Sequence, residues 1–171
     1  MKTLVVYASK HGAAEECAKE IAKKVSGEVE LVNLSERKAS ECSSYDRVVI
    51  GGSIYAGMIQ KEVKEFCTKN LECLMQKKVG LFVSCMDDKN ALTYIANSFP
   101  KELVASALVK QGLGGAFYFK KMNFLERFII KMIANSKANE GGSLPKADGK
   151  TDISTLSEEK ISCFVEEFNK A

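Results

Sequence analysis

Lys2-Thr3-Leu4-Val5-Val6-Tyr7-Ala8, the turn Ser9-Lys10-His11-Gly12 and the segment from Ala13 to Val25 together decide the fold. The first seven residues are apolar and rich in β-branched side chains. They read as a short strand buried on both faces, as strands of a parallel sheet are. From Ala13 onward Ala14, Cys17, Ala18, Ile21, Ala22 and Val25 recur at helical spacing. Glu15 and Glu16 stand in the first turn and Lys23 and Lys24 in the last, the charge order that suits a helix dipole. Gly27 follows as a stop signal.

The same alternation continues along the chain. Glu28 to Leu34 alternates polar and apolar residues, a second strand at a sheet edge. Residues 35–44 are small and polar, a loop or short helix. Arg47 to Ser53 is a third, buried strand, and Gly51 to Gly57 reads as a glycine-rich loop. Ile59 to Leu71 is helical, with Val63, Phe66 and Cys67 inward. Lys78 to Ser84 is a fourth strand and Cys85 to Asn90 a loop. Ala91 to Phe99 is a helix stopped by Pro100. Ser106 to Phe119 holds a fifth strand, interrupted at Gly112, Gly114 and Gly115. Met122 to Ala134 is a strongly apolar helix, Asn135 to Asp152 a polar loop, and Ser154 to Asn169 a closing amphipathic helix. Five strands alternating with helices predict a doubly wound α/β domain over residues 1–171, a five-stranded parallel sheet with helices on both faces.

Composition narrows the function. A chain of 171 residues matches about one domain. Its net charge of +3 and pI near 8.4 are too mild for a nucleic-acid binder. The longest stretch free of charged residues, Val48 to Gln60, is 13 residues, short of the roughly 20 needed to span a membrane. None of the six cysteines forms a Cys-x-x-Cys pair, and His11 is the only histidine, so neither a zinc site nor a disulfide framework is expected. These features predict reduced cysteines and a cytoplasmic protein.

Open parallel sheets bind ligands beyond the carboxyl ends of their strands, where strand order reverses. In the order 2-1-3-4-5 that point lies between strands one and three. Three loops then meet there. Ser9, Lys10, His11, Gly12, Ala13 and Ala14 lead into a helix N-terminus, whose free N–H groups attract phosphate. The loop is not a P-loop, since no Gly-Lys-Ser/Thr follows, and it lacks the G-x-G-x-x-G of dinucleotide sites. Tyr7-Ala8-Ser9 also lacks the acids of a response-regulator receiver. Ser53, Ile54, Tyr55, Ala56 and Gly57 offer an aromatic face for a planar ring, or a cover for loop backbone. Ser84, Cys85, Met86, Asp87 and Asp88 form the third loop, where Cys85 reads as a small buried apolar residue.

These loops resemble those of flavodoxin-like FMN proteins, in which a Ser/Thr-x-Thr-Gly-x-Thr loop wraps the ribityl phosphate. Ser9 and Gly12 match; His11 and Ala14 stand where hydroxyl residues are usual. The segments MKTLVVYASKHG, YDRVVIGGSIYAG and GGAFYFKKMNFLERFIIKMI, with Gly141-Gly142, are similar to the flavodoxin-type, menaquinone-dependent protoporphyrinogen IX dehydrogenase branch. The chain departs from that branch after strand four, where Asp87-Asp88-Lys89-Asn90 replaces a long basic insertion. The resemblance implies FMN as cofactor, held by the three loops, and an oxidoreductase linked to a quinone or other small electron acceptor. The alternatives are an electron-transfer protein serving a redox partner protein, and an interaction module of this fold without FMN.

Residues 120–137 carry five basic residues and one acid, Glu126. Leu125, Phe128, Ile129, Met132 and Ile133 form an apolar stripe, broadened by Phe124 and Ile130. The expected role is a core helix packed on the sheet with solvated lysines. The alternative is peripheral contact with the inner membrane surface.

Overall fold

A computed structural model describes residues 1–37, 41–142 and 144–170. Its framework is five parallel strands in the order β2-β1-β3-β5-β6, with β4 paired antiparallel to the end of β3. These are β1 (Lys2–Ala8), β2 (Glu28–Asn33), β3 (Arg47–Tyr55), β4 (Met58–Ile59), β5 (Lys78–Ser84) and β6 (Val109–Gly112). Discounting the short β4, this is the order expected from the sequence. The helices are α1 (Ala13–Lys24), α2 (Lys61–Lys69), α3 (Leu71–Leu74), α4 (Ala91–Ser98), α5 (Lys101–Ser106), α6 (Phe124–Asn139) and α7 (Glu158–Lys170). A separate two-stranded ribbon pairs β7 (Ala116–Phe117) with β8 (Ile153–Ser154).

The period-two alternation of strand side chains sorts the core into two layers. Leu4, Val6, Val48, Ile50, Leu81 and Val83 face α2 to α5. Val5, Tyr7, Val49 and Phe82 face α1 and α7, meeting Cys17, Ile21, Phe164 and Phe168. Arg47 is fully buried at the amino end of β3. Its Nη2 donates to the Ser26 carbonyl at 2.6 Å and its Nε to Thr3 Oγ1 at 3.1 Å, and the guanidinium lies 5.1 Å from the Phe168 ring centre. Buried donors thus find partners even without a carboxylate.

Several boundaries differ from expectation. Gly51 and Gly52 belong to β3, as the expected strand Arg47 to Ser53 has it, and the overlapping glycine-rich loop of residues 51–57 gives way to a hairpin. The strand runs on to Tyr55 and turns back through Ala56 (φ 50°) and Gly57 (φ 79°) into β4. Two positive-φ residues between paired strands make the primed hairpin turn that matches strand twist. The glycines serve packing instead. A Cβ on Gly51 would lie 2.2 Å from the Phe82 ring, and one on Gly52 would lie 2.8 Å from Ile59. Pro100 does not merely end a helix, since α5 starts directly after it, as proline at a helix start allows. The expected loop over 35–44 falls partly on residues 38–40, outside the described residues.

The largest difference concerns α6. It does not pack on the sheet. Only Ile130 and Ala134 are buried, in a small third cluster with Phe119, Met122 and Ala147. Phe124 is 87% exposed, Leu125 64%, Phe128 55% and Met132 59%. The expected core helix is therefore corrected to a helix whose apolar stripe faces solvent. Its start is set by a capping box: Asn123 Oδ1 accepts from the Glu126 N–H and Glu126 accepts from the Asn123 N–H. Asn135 clamps the returning chain, exchanging two hydrogen bonds with the Ala147 backbone at 2.8 and 3.0 Å. Among the described residues no helix is long and apolar enough to cross a membrane.

The contact between Gly51 and Phe82 is testable. Gly51→Ala should overpack the ring and lower the unfolding free energy by about 1–3 kcal/mol in urea denaturation. The same change in a Phe82→Leu background should cost less, and an additive double-mutant cycle would refute the contact.

Candidate functional site

The parallel register brings the three expected loops to one edge. Ala8 pairs with Gly52, and Ser53 with Ser84, so Ser9, Ser53 and Ser84 emerge side by side. Ser9 Oγ lies 3.1 Å from Ser53 Oγ and accepts from the Gly12 N–H at 3.0 Å. Gln60 reaches across the hairpin and accepts from the Ser53 N–H at 3.0 Å. Gly12, at φ 106°, is the N-cap of α1 and has no side-chain cap to offer, leaving first-turn N–H groups of α1 without helical partners.

Between these loops and α6 lies a cavity of about 370 Å³, within the range of small-molecule sites. Lys10, His11, Ala13, Ser53 to Gly57, and Ser84 to Asp87 line it, as the sequence anticipates. Four expected residues lie elsewhere. Ser9 and Gly12 build the turn through their mutual hydrogen bond without lining the cavity. Ala14 is wholly buried against the core layer of α1, because the helical repeat turns it toward the sheet. Asp88 points away from the cavity and pairs with Lys160 of α7. The side chains of Ala14 and Asp88 thus do not line the cavity.

The remaining wall comes from residues that local sequence does not assign: Tyr94, Gly115 to Phe117, Met122, Ile130, Ile133, Lys137 and Leu144. Most belong to the segment that carries α6. The aromatic run of residues 117–119 was a usable signal for Phe117, but nothing local marks Tyr94 or Leu144.

Two ion pairs hold α6 across the opening. At its start, Lys10 Nζ lies 2.7 Å from Glu126 Oε1 and 3.8 Å from the centre of the Tyr55 ring. At its end, Lys137 Nζ lies 3.9 Å from Asp87 Oδ2. The hydrogen bond from Lys10 holds the Glu126 carboxyl below the usual glutamate range, and the same bond raises the Lys10 ammonium. His11 packs edge-on to Tyr55 at 6.0 Å, its Nε2 3.8 Å from Glu126 Oε2. Burial lowers the imidazole below its ordinary value, so it is neutral at pH 7. Among the described residues His11 Nε2 is a buried polar atom without a hydrogen-bond partner, while the buried Ser84 hydroxyl meets the Cys17 thiol.

Cys85 lines the cavity but is 4% exposed, and burial pushes its thiol up to about 12. It packs as a small apolar residue, not as a thiolate. Among the described residues no group of His, Cys, Asp and Glu side chains could hold a metal ion.

The arrangement is therefore a polar turn at a helix start, an aromatic hairpin, and an apolar roof tied down at both ends. The flavodoxin domain family matches residues 4–142, a span that includes all three loops and α6. Over 151 residues the chain is 24% identical to protoporphyrinogen IX dehydrogenase [quinone] of Escherichia coli strain K12, with 82% of each chain covered. Oxidised flavodoxin 2 of Bacillus cereus aligns over 99% of both chains, with a TM-score of 0.57 and 23% identity. Rubredoxin oxygen:oxidoreductase of Desulfovibrio gigas aligns over 99% of this chain, with a TM-score of 0.58 and 12% identity, and this chain spans 35% of its length. These structural likenesses concern the fold alone, and the sequence match over 139 of 171 residues carries the assignment: the chain belongs to the flavodoxin domain family.

Proposed function

We propose that this protein is an FMN-dependent oxidoreductase that oxidises a flat, carboxylate-bearing molecule of the protoporphyrinogen IX type and passes electrons to a quinone. The supporting observation is the roof. A freely diffusing electron carrier needs an exposed flavin edge and a docking patch. Here α6 covers the edge of the sheet and leaves an apolar cavity walled by Tyr55, Met86, Phe117, Met122, Ile130 and Ile133. Such a chamber suits a small apolar reactant better than a protein partner.

The residues present fit FMN. The left-handed Gly12 opens a cradle for phosphate, and His11 Nε2 is, among the described residues, a buried polar atom without a partner. In this reading residues 9–13 hold the phosphate, 53–57 one side of the ring and 84–87 the other. Bound there, FMN supplies the redox chemistry. The chain itself orients the ring, excludes water beneath α6 and keeps His11 neutral. Lys120 and Lys131 lie beside the exposed stripe and match the carboxylates of such a substrate. The stripe of Phe124, Leu125, Phe128 and Met132, flanked by these cations, is proposed as contact with the anionic inner membrane surface, where a quinone would be held.

Three measurements test this reading. Purified protein loaded with FMN should stay yellow through desalting and should oxidise protoporphyrinogen with a menaquinone analogue faster than free FMN does. Rapid reduction by a flavodoxin reductase without porphyrinogen turnover would instead identify a carrier, and failure to retain flavin would identify an interaction module.

The ties of α6 should govern flavin exchange. Glu126→Gln keeps the helix cap but removes the charge, and Lys137→Met removes the second tie. Together they should speed FMN dissociation about tenfold, near 1.4 kcal/mol, and expose the flavin to iodide quenching. Because the Glu126 carboxyl is depressed in the folded protein, its contribution persists above the ordinary glutamate value of 4.5. It is lost only as pH falls through the lowered value. FMN release should therefore be flat through neutral pH and rise in acid, and the Gln variant should lack that rise.

Phe124→Ser with Phe128→Ser should abolish co-sedimentation with vesicles containing phosphatidylglycerol while leaving FMN binding unchanged. Equal sedimentation of variant and parent would remove α6 from the membrane contact.

A further inference from the structure

The loop proposed to hold the FMN phosphate has no free positive charge of its own. Its only hydroxyl, Ser9 Oγ, is engaged with Ser53 Oγ and the Gly12 N–H. Its only ammonium, Lys10, is neutralised by Glu126 and stacked on Tyr55. Its imidazole, His11, is held neutral by burial. A phosphate monoester carries a charge near −2 at neutral pH. Backbone N–H groups alone can accept it, but no side chain of residues 9–14 offers it an unspent positive charge.

A cation arrives from elsewhere. Lys121, in the turn Phe119–Lys121 that precedes α6, extends over Gly12. Its Nζ lies 2.9 Å from the point that a Cβ on Gly12 would occupy. Among the described residues no carboxylate lies within 4.0 Å of it, and its one aromatic neighbour is Tyr118, 4.8 Å from the ring centre. Tyr118 is itself fixed by a hydrogen bond to Glu16 of α1 at 2.8 Å. The ammonium is thus steered to the turn by an anchored ring, and its charge there is uncompensated. Lys120, its neighbour, makes no such approach. Its backbone N–H donates to Asp152 instead.

We propose that Lys121 is a phosphate ligand of this site, which makes it select a flavin bearing a terminal phosphate monoester over one without. This rests on the FMN reading above and adds the residue that sets the choice between flavins. It also ties the roof to the cofactor, because Lys121 stands two residues before the Asn123 cap of α6. A phosphate held by both the Gly12 turn and Lys121 would fasten the start of that helix to α1.

The test compares two flavins that differ only in the phosphate. FMN and riboflavin are titrated by fluorescence quenching into the parent protein and into Lys121→Met, Lys121→Arg and Lys69→Met variants, Lys69 lying at the far end of α2. Lys121→Met should weaken FMN at least tenfold and change riboflavin less than twofold. Lys121→Arg should retain most of the FMN affinity, and Lys69→Met should match the parent. Added salt should weaken FMN more steeply in the parent than in Lys121→Met, since screening acts on the charge pair. The phosphorus resonance of bound FMN should also shift between the two. Inorganic phosphate alone should compete with FMN in the parent and less well in Lys121→Met. Equal effects on both flavins, or none on either, would overturn the role of Lys121 while leaving FMN binding intact. A parent protein that binds neither flavin would overturn the FMN reading together with this one.

Discussion

A parallel sheet returns its chain across one face after every strand, so all its strands end at the same edge. The site depends on that constraint. Because β1, β3 and β5 are adjacent and in register, three serines from distant parts of the chain emerge together. The reversal of order between β2-β1 and β3-β5 then opens a crevice, since the helices leaving β1 and β3 go to opposite faces. α1 and α7 fill one face and α2 to α5 the other, which leaves the carboxyl edge without a covering layer of its own.

α6 supplies that cover, and it does so as an appendage. Its own cluster is small, and it shares Tyr55, Phe117 and Ile153 with the sheet edge and the β7–β8 ribbon. With so little apolar surface buried beneath it, the position of α6 rests heavily on polar ties: the Asn135 clamp, the Lys10–Glu126 pair and the Lys137–Asp87 pair. Ion pairs at partly exposed positions contribute little each. An element held this way belongs to the low end of the local stability range, where moving covers are drawn from. Its outward stripe adds a second pressure, because an exposed apolar patch of several large side chains is unusual on a protein that stays monomeric in water.

The layered core was legible because both of its signals are local. Alternation in Leu4-Val5-Val6-Tyr7 and helical spacing from Ala14 to Val25 report burial directly, and the element order then restricts topology. For Gly51-Gly52 the strand reading of Arg47 to Ser53 holds, and the overlapping loop reading of residues 51–57 fails, for a physical reason. Glycine marks a loop when it supplies φ > 0, but here it supplies space, for Phe82 on one face and Ile59 on the other, and that partner lies on another segment. The misreading of α6 has a similar origin. Periodicity reports that a helix has an apolar stripe; it cannot report whether protein or solvent lies against it. Tyr94 and Leu144 reach the cavity by tertiary contact alone, and nothing beside them in the chain says so.

The distribution of charge follows from the same architecture. The net +3 of the chain is small, but residues 120–137 concentrate a surplus beside the cavity. One part of it is consumed internally: Lys137 answers Asp87, while Glu126, the lone acid of the segment, is consumed by Lys10 from outside it. That exchange matters. With Glu126 committed to the first loop, it no longer offsets the basic residues of its own helix, and among the described residues Lys120, Lys121 and Lys131 form no ion pair. On the proposed reading, one pairing thus closes the roof, fixes the α6 N-terminus and leaves positive charge available to the anions that the site would meet. On the same reading a carrier would gain little from this arrangement, because covering the flavin edge would slow transfer to a protein partner. The proposed roof, with its charge, suits a reactant small enough to enter beneath α6.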